Sequence, residues 1–250
     1  MKTSFKIKIA KLIYSTLMFF KVKKNISVKR KSIKWTLDLA EGIDLSIFIF
    51  GSFQSELSNS ITNLINKKKN QNIFFNIIDV GSNIGDKSLS IAKNLLNKNI
   101  KNFKIFSIEP TDYAFQKQKK NLNNNPQLKK KISISKFYVS NKKIKPKKIY
   151  SSWRLDNKKD THKVHFGSLN EINSFTKTIS LDNFIKKKKI KNQIIIKIDV
   201  DGFELDVLKS CKNFLKKNDT IIFMEYAPYA LKEYGSSIKE FTNFLQQLDY

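Results

Sequence analysis

The segment 77–86, IIDVGSNIGD, is the feature that most constrains how this chain can fold. A short apolar run contains an acid near its end, and glycines follow at positions 81 and 85. This order predicts a buried β-strand that turns sharply into a helix. Gly81 permits the turn, and Gly85 permits a helix or a ligand to approach closely. Asp79 would then lie at the carboxyl end of the strand, where open α/β sheets bind their ligands.

A second acid, Glu109, ends the next apolar run at a spacing that suits recognition of ribose hydroxyls. The glycine loop is G-x-x-x-G, so it lacks the middle glycine of the dinucleotide motif, and Asp86 would repel a phosphate in a phosphate-binding loop. The pair of features therefore indicates a nucleoside without polyphosphate. S-adenosylmethionine fits that description; an ordinary strand–turn–helix corner is the alternative.

Two further apolar runs end in acids, at Asp199 and Asp201 and at Glu225. If these runs are parallel strands, the acids form a ring of carboxylates at one rim of the sheet. Alternating strands and helices predict a mostly parallel sheet with helices on both faces. The predicted strands are 73–80, 103–109, 131–139, 193–200 and 219–226, the predicted helices are 55–65, 86–97, 112–123, 181–189, 203–216 and 236–248, and a hairpin of 34–39 with 44–50 precedes them.

From about residue 33 to 250 the sequence resembles the FkbM-type methyltransferases. The resemblance rests on IIDVGSNIGDKSL (77–89), IFSIEP (105–110), TISLDNF (178–184), IKIDVDGFELDVLKS (196–210) and IIFMEY (221–226). It implies a Rossmann-like class I methyltransferase fold, S-adenosylmethionine as cofactor, and methylation of a hydroxyl on a sugar, surface glycan or similar small molecule. That family's sheet continues with two more strands, so we expect these strands to be missing, or the edge at 221–225 to be covered by a partner or the N-terminal segment.

The resemblance also implies residue roles. Cofactor contacts are expected from Asp79, Gly81, Ser82, Asn83 and Gly85, with Glu109 on the ribose. A hydroxyl is a poor nucleophile, so a carboxylate should help to remove its proton. The candidates for this catalytic role are Asp199, Asp201 and Glu225, with Glu204 beside the acceptor. Asp201 and Glu204 could instead only stabilise the start of the following helix.

The polar stretch from about 140 to 177 lacks a clear period, and long irregular insertions are often functional. We place the substrate region here, with Trp153 and Arg154 as candidate contacts, although Trp153 could equally be a hydrophobic anchor. His162 and His165 lack the further ligands that zinc needs, so no metal site is predicted. Cys211 is the only cysteine, which excludes an internal disulfide.

The formal net charge of +27 taken alone would indicate nucleic acid. Nucleic acid is nevertheless an unexpected partner, because nearly all the basic residues are lysines and arginine occurs only at positions 30 and 154.

The first 32 residues are predicted to be a basic amphipathic segment in front of a domain at 33–250. Its uncharged run of residues 12–20 is too short to span a bilayer, so residues 1–24 would either lie on an anionic membrane or pack on the domain. We therefore expect a cytoplasmic protein, which would contact the inner membrane surface peripherally in the first of these two cases, and the oligomeric state stays open.

Two other functions are compatible with parts of the sequence. A glycosyltransferase could use Asp199 and Asp201 to hold a metal and a nucleotide sugar, but this leaves the segment 79–85 unexplained. A basic protein that binds a membrane or nucleic acid would explain the charge and leave the acids without a role.

Overall fold

The computed structural model describes residues 3–142, 145–150, 153–156, 167–191 and 193–250. Its strands are β1 (Asn25–Arg30), β2 (Ile33–Asp38), β3 (Phe75–Val80), β4 (Phe103–Ile108), β5 (Ile132–Ser135), β6 (Phe137–Val139), β7 (Lys148–Tyr150), β8 (Leu169–Glu171), β9 (Lys177–Ile179), β10 (Gln193–Ile198) and β11 (Ile221–Met224). Its α-helices are α1 (Thr3–Phe19), α2 (Gly42–Phe50), α3 (Ser55–Lys67), α4 (Asp86–Asn97), α5 (Asp112–Asn123), α6 (Pro126–Lys129), α7 (Leu181–Lys187), α8 (Glu204–Ser210), α9 (Lys212–Leu215), α10 (Pro228–Glu233) and α11 (Ile238–Gln246).

Five parallel strands form the central sheet, in the spatial order β11-β10-β3-β4-β5. The chain runs outward from β3 through β4 to β5 and then returns to place β10 on the other side of β3. The strand order therefore reverses between β3 and β10, and this is where open α/β sheets form a ligand crevice outside their carboxyl ends. The predicted fold class, a Rossmann-like α/β sheet with helices on both faces, is confirmed.

Side chains of the central strands alternate between two apolar cores, one on each face of the sheet. Ile77 and Ile195 belong to the core that includes residues of α3 and α4, while Ile78 and Ile196 belong to the core that includes residues of α7, α8 and α11. Because both faces of β3 and β10 are covered, both strands are apolar along almost their whole length, as is usual for buried parallel strands.

An N-terminal hairpin and helix precede the sheet. The predicted strand 34–39 corresponds to β2, but the predicted second strand of the hairpin was wrong. The hairpin pairs β1 with β2, and its turn residues Lys31 and Ser32 both have positive φ. Residues 44–50, predicted to be the second strand, lie in helix α2, which ends at Gly51 with φ +79°. A short, nearly continuous apolar run does not distinguish a strand from a buried helix. The strand next to β2 is supplied by residues that precede it, inside the predicted 1–32 segment.

The other predicted elements differ from the observed ones mainly at their ends. Helices 86–97 and 112–123 have the predicted bounds. The predicted strand 131–139 is divided into β5 and β6, and β6 leaves the central sheet to pair with β9. The predicted helix 203–216 is divided at Cys211.

Helix α1 packs Ile7, Ala10, Ile13, Tyr14 and Leu17 toward the body of the protein. Strand β11 pairs only with β10, so within the described ranges its outer edge has no strand partner. Over the same ranges, every helix is too short or too polar to cross a membrane.

Candidate active site

A cavity of about 550 Å³ lies at the carboxyl ends of β3, β4 and β10. Its polar end is bounded by the loop after β3, the end of β4 and the turn after β10. The side chains or backbone of Gly81, Asn83, Glu109, Asp199, Asp201 and Glu225 line it. The cavity therefore occupies the position where the reversal in strand order predicts a ligand.

A row of polar residues crosses the sheet beneath this cavity. Ser107 on β4, Asp79 on β3 and Lys197 on β10 are register partners on adjacent strands. The Lys197 ammonium lies 2.9 Å from Asp79 Oδ1 and donates to the Gly81 carbonyl at 2.8 Å. Ser88 donates to the other Asp79 oxygen at 2.6 Å, and Ser107 Oγ lies 2.5 Å from Ser88 Oγ. Asp79 is thus fully buried and bonded within the protein, and it does not line the cavity.

Lys197 was not singled out from the sequence, yet it joins the floor of the site to the catalytic candidates. Besides Asp79 it lies 3.5 Å from Asp199 Oδ2. Burial by itself would lower the pKa of Lys197, but the charges of Asp79 and Asp199 more than offset it, so the pKa is raised and the ammonium stays charged. The signal in the sequence was a single charge inside the apolar run IIIKI, at the register position of Asp79.

The glycine loop is shaped by close contacts within the protein. A Cβ on Gly81, whose φ is +74°, would lie 1.9 Å from the Asp199 carbonyl oxygen. A Cβ on Gly85 would lie 2.9 Å from Gln118 Cγ, and Gln118 donates to Ser82 Oγ at 2.9 Å. Gly81 lines the cavity, whereas Gly85 and Ser82 face α5 and do not.

Glu109 ties the glycine loop to the end of β4. One carboxylate oxygen accepts from the Asn83 amide at 3.0 Å, and the other accepts from the Thr111 amide at 3.0 Å and its hydroxyl at 2.5 Å. Burial raises the pKa of Glu109, and the hydrogen bonds from Thr111 and Asn83 counteract part of this effect. Since each carboxylate oxygen has two lone pairs, Glu109 retains acceptor capacity toward the cavity that it lines.

The turn after β10 and the end of β11 bring three acids together beside the cavity. Burial, then the charge of Asp199 and a hydrogen bond to it, raise the pKa of Glu225 to about 7. Burial, followed by the charges of Asp199, Glu225 and Glu204, raises the pKa of Asp201 well above its usual range. Near neutral pH, the Glu225 carboxyl is therefore close to half protonated, beside Asp199.

Glu204 has a local structural role. One of its carboxylate oxygens accepts from the backbone amides of Val200 at 3.3 Å and Gly202 at 3.2 Å, which fixes the turn before α8. Its side chain is buried and does not line the cavity. This is close to the alternative interpretation from the sequence, in which Glu204 stabilises the start of the helix.

Trp153 and Arg154 lie on opposite sides of one short segment. Trp153 lines the cavity, and its carbonyl accepts from the Gly42 amide at 2.8 Å. Arg154 points away from the cavity and donates to Asp38 at 3.0 Å, Glu41 at 3.0 Å and Asp156 at 2.8 Å. Arg154 therefore anchors the segment that carries Trp153.

Seven of the twelve predicted site residues line the cavity, and their roles stay predictions: Gly81, Asn83, Glu109, Trp153, Asp199, Asp201 and Glu225. The other five, Asp79, Ser82, Gly85, Arg154 and Glu204, support the residues around it. His162 and His165 lie outside the described residues. In the described part of the chain, no group of three or more His, Cys, Asp or Glu side chains is arranged to hold a metal ion.

Comparison with known proteins decides the family. The model of the methyltransferase FkbM domain matches residues 79–250, more than two thirds of the chain. The chain belongs to the FkbM methyltransferase family. The matched region begins at Asp79 and contains the glycine loop, Glu109 and all the acids of the cavity.

A structure of another FkbM methyltransferase shows a distant likeness. It is the methyltransferase FkbM from Methylobacillus flagellatus KT, which is 17% identical to this chain with a TM-score of 0.43. The likeness covers 70% of this chain and 38% of that one, so the chain spans well under half of that protein's length. A search of curated protein sequences finds no significant match.

Proposed function

We propose that this FkbM family member is an S-adenosylmethionine-dependent O-methyltransferase that acts on a hydroxyl of a sugar, surface glycan or similar small molecule. The observation that supports it most is the juxtaposition of Glu109 and the Asp199–Glu225 pair in one cavity at the strand-order reversal.

The residues that line the cavity fit the proposed cofactor. Glu109 offers acceptor lone pairs to ribose hydroxyls, and the neighbouring apolar wall of Ile108, Pro110 and Phe137 suits an adenine ring. The acids at the end of β10 favour the positive charge of a sulfonium. Two lysines at the polar end already have acidic partners, since Lys87 pairs with Asp86 at 2.9 Å and Lys197 with Asp79. These ion pairs make the site a poor match for a polyphosphate.

Bound S-adenosylmethionine would supply a methyl group on a positively charged sulfur, which is already activated for transfer. The chain's own residues have to position the acceptor hydroxyl, take its proton and exclude water, and positioning alone is worth on the order of 7–11 kcal/mol in favourable models. The Asp199–Glu225 pair, with an apparent pKa of about 7 at Glu225, suits a general base near neutral pH. Trp153 offers an aromatic surface for a sugar ring.

Calorimetric titration with S-adenosylhomocysteine tests the cofactor part of the proposal. We expect saturable binding that weakens about tenfold or more in Glu109→Gln, because the amide loses the charge and part of the acceptor capacity that hold the ribose. Glu171→Gln is the matched control, since Glu171 is an exposed glutamate whose partner Lys148 lies 3.6 Å away. A wild-type protein that does not bind at millimolar concentration would refute the proposal.

Transfer of a labelled methyl group then tests the chemistry. A panel of sugars and glycan fragments is incubated with labelled S-adenosylmethionine, and the product is located by mass spectrometry. An ether at a former hydroxyl carbon is the expected product. Methylation at nitrogen, or on RNA, would contradict the assigned acceptor class.

A further inference from the structure

The apolar end of the same cavity is built by the N-terminal elements. Ile9, Ala10 and Ile13 of α1 line it together with Ile43 and Ile49 of α2. If the methyl acceptor were a polar sugar alone, the apolar side chains at this end of the cavity would have no apolar group to contact. The cavity thus has a carboxylate-rich end, where the reaction is proposed, and an apolar end beside α1.

Helix α1 has a second apolar face, which is exposed to solvent apart from the part of Ile9 that lines the cavity. Phe5, Ile9, Leu12 and Phe19 recur at spacings of three, four and seven residues, so they share one side of the helix. Their exposed fractions are 53, 38, 68 and 80%. Because Ile7, Ala10, Ile13 and Leu17 already pack inward, burial against the described body of the protein does not account for this outward face.

The outward face continues from α1 onto α2. Ile49 and Phe50 are 38 and 69% exposed, and both also line the cavity, as does Ile9. We call this surface, formed by Phe5, Ile9, Leu12, Phe19, Phe20, Ile49 and Phe50, the apolar platform. The platform therefore adjoins the apolar end of the cavity through shared residues.

Exposed lysines occur in the same N-terminal segment as the platform. Lys6, Lys8, Lys21 and Lys23 are exposed, and Lys6 also lines the cavity. No acidic residue occurs in the chain before Asp38. A helix with exposed large apolar side chains between lysines has the chemistry of an interfacial helix on an anionic bilayer.

From these contacts we infer that the apolar platform docks on an anionic lipid bilayer and that the acceptor is an amphiphile from that bilayer. The hydroxyl-bearing headgroup of this amphiphile would lie at Asp199, Asp201 and Glu225, and its apolar tail would lie in the α1–α2 end of the cavity. The inference rests on the proposed function for the reaction at the headgroup. Docking on the bilayer and binding of the tail do not depend on it.

Vesicle flotation tests the docking. The full chain is mixed with vesicles of phosphatidylcholine containing about 30% phosphatidylglycerol, and with phosphatidylcholine vesicles alone. We expect binding to the anionic vesicles that falls with added salt. The double variant Leu12→Ser/Phe19→Ser should bind about 100-fold more weakly, since each removed side chain contributes about tenfold when it is buried in lipid.

Phe175→Ser is the matched control, because Phe175 is 89% exposed and lies outside the platform. It should bind vesicles as the wild type does. Equal binding by the double variant and the wild type would overturn the docking. Self-association through the platform would also overturn the docking; it would be seen as a dimer in light scattering that does not bind vesicles.

Alkyl glucosides below their micelle concentrations test the tail site. Calorimetry in the presence of S-adenosylhomocysteine should show octyl glucoside binding about tenfold or more tightly than hexyl glucoside, since each buried methylene contributes about fourfold. Ala10→Phe, which fills the apolar end, should abolish this chain-length dependence, while Leu12→Ser/Phe19→Ser should retain it. Affinity in the wild type that is independent of chain length would overturn the tail site, even if Ala10→Phe does not fold.

The two proposals fail in different ways. If the cofactor proposal is wrong, the protein does not bind S-adenosylhomocysteine but still floats with vesicles. If the present inference is wrong, the protein binds S-adenosylhomocysteine normally, does not float with vesicles, and binds octyl and hexyl glucoside with equal affinity.

Discussion

At the scale of single residues, the site depends on charges that compensate one another in a dry environment. Lys197 and Asp79 are both almost completely inaccessible and lie 2.9 Å apart on adjacent strands. A buried pair of this kind adds little stability compared with apolar residues, but the loss of one partner leaves an uncompensated charge. The pair also holds the Gly81 carbonyl, so it fixes the geometry of the cavity floor.

Lys197→Met should therefore lower the free energy of unfolding by about 3–5 kcal/mol. Lys197→Met/Asp79→Asn should recover part of this loss, because the orphaned carboxylate is gone. Urea denaturation at pH 7 measures both, with Lys186→Met on the exposed side of α7 as a control near the wild-type value. A Lys197→Met protein as stable as the control would show that the pair is unimportant.

Glu225 should determine how methyl transfer depends on pH. Its pKa of about 7 predicts a rate that falls as the pH drops below 7, because Glu225 must lose its proton before it can act as a base. In Glu225→Gln the rate should fall about 10- to 100-fold and the limb near pH 7 should disappear. Initial rates from pH 5 to 9 measure this; an unchanged limb would assign it to another group.

The ionised Asp201 carboxylate should lower the free energy of unfolding at alkaline pH. Its folded pKa is raised from the usual 3.8, so the folded state binds more protons and stability falls as the pH rises from about 4 through the raised pKa. Asp201→Asn removes the charge and still tolerates the φ of +49° at this position. We expect a gain of about 1 kcal/mol at pH 8 that vanishes near pH 4, measured by urea denaturation at both pH values.

At the scale of elements, the loop between β3 and α4 and the turn after β10 are packed against each other. The Gly81 amide donates to the Ile108 carbonyl at 3.0 Å, and the Asp199 amide donates to the Val80 carbonyl at 3.2 Å. Three neighbouring strand ends are thus tied together by backbone hydrogen bonds. Any side chain at Gly81 would have to push the turn after β10 away.

Gly81→Ala should lower the free energy of unfolding by more than about 2 kcal/mol and abolish S-adenosylhomocysteine binding. Gly235→Ala is a matched control, since Gly235 has a similar φ of +77° but no atom within 4 Å of the place that an alanine Cβ would occupy. It should lose only the roughly 1 kcal/mol that a positive φ costs an alanine. Equal losses in the two variants would show that the close approach at Gly81 is not important.

The elements that the sequence predicted well have one signal in common: an apolar run that ends at an acid or glycine, followed by a helical period. β3 with α4 and β4 with α5 are examples. Residues 44–50 show the limit of this signal, since their apolar run also ends at a glycine, Gly51, yet lies in helix α2. A short apolar run does not by itself distinguish a strand from a buried helix. The division of the predicted strand 131–139 into β5 and β6 was not foreseen, because the departure of β6 from the sheet is decided by its pairing with β9, forty residues further along the chain.

At the scale of the whole molecule, the formal net charge of +27 works against compactness. Raising the salt concentration from about 0.01 M to about 0.15 M shortens the screening length from about 30 to about 8 Å. We expect the melting temperature to rise by about 2–4 °C, equivalent to about 1 kcal/mol. Sodium chloride and potassium glutamate should give the same gain at equal ionic strength; a gain with only one of them would indicate specific ion binding instead.

The sequence by itself determined the doubly covered parallel sheet, the glycine loop and the presence of acids at the strand ends, because these follow from local periodicity and from residues adjacent along the chain. The tertiary structure decided which of those residues face the cavity. Asp79 pairs with Lys197 and Gly85 packs against Gln118, and both contacts depend on a neighbour from another element. Glu204 instead accepts a hydrogen bond from the backbone in front of its own helix. The tertiary structure also decided that α1 and α2 close the apolar end, since contacts between residues far apart along the chain are set by packing and not by local sequence.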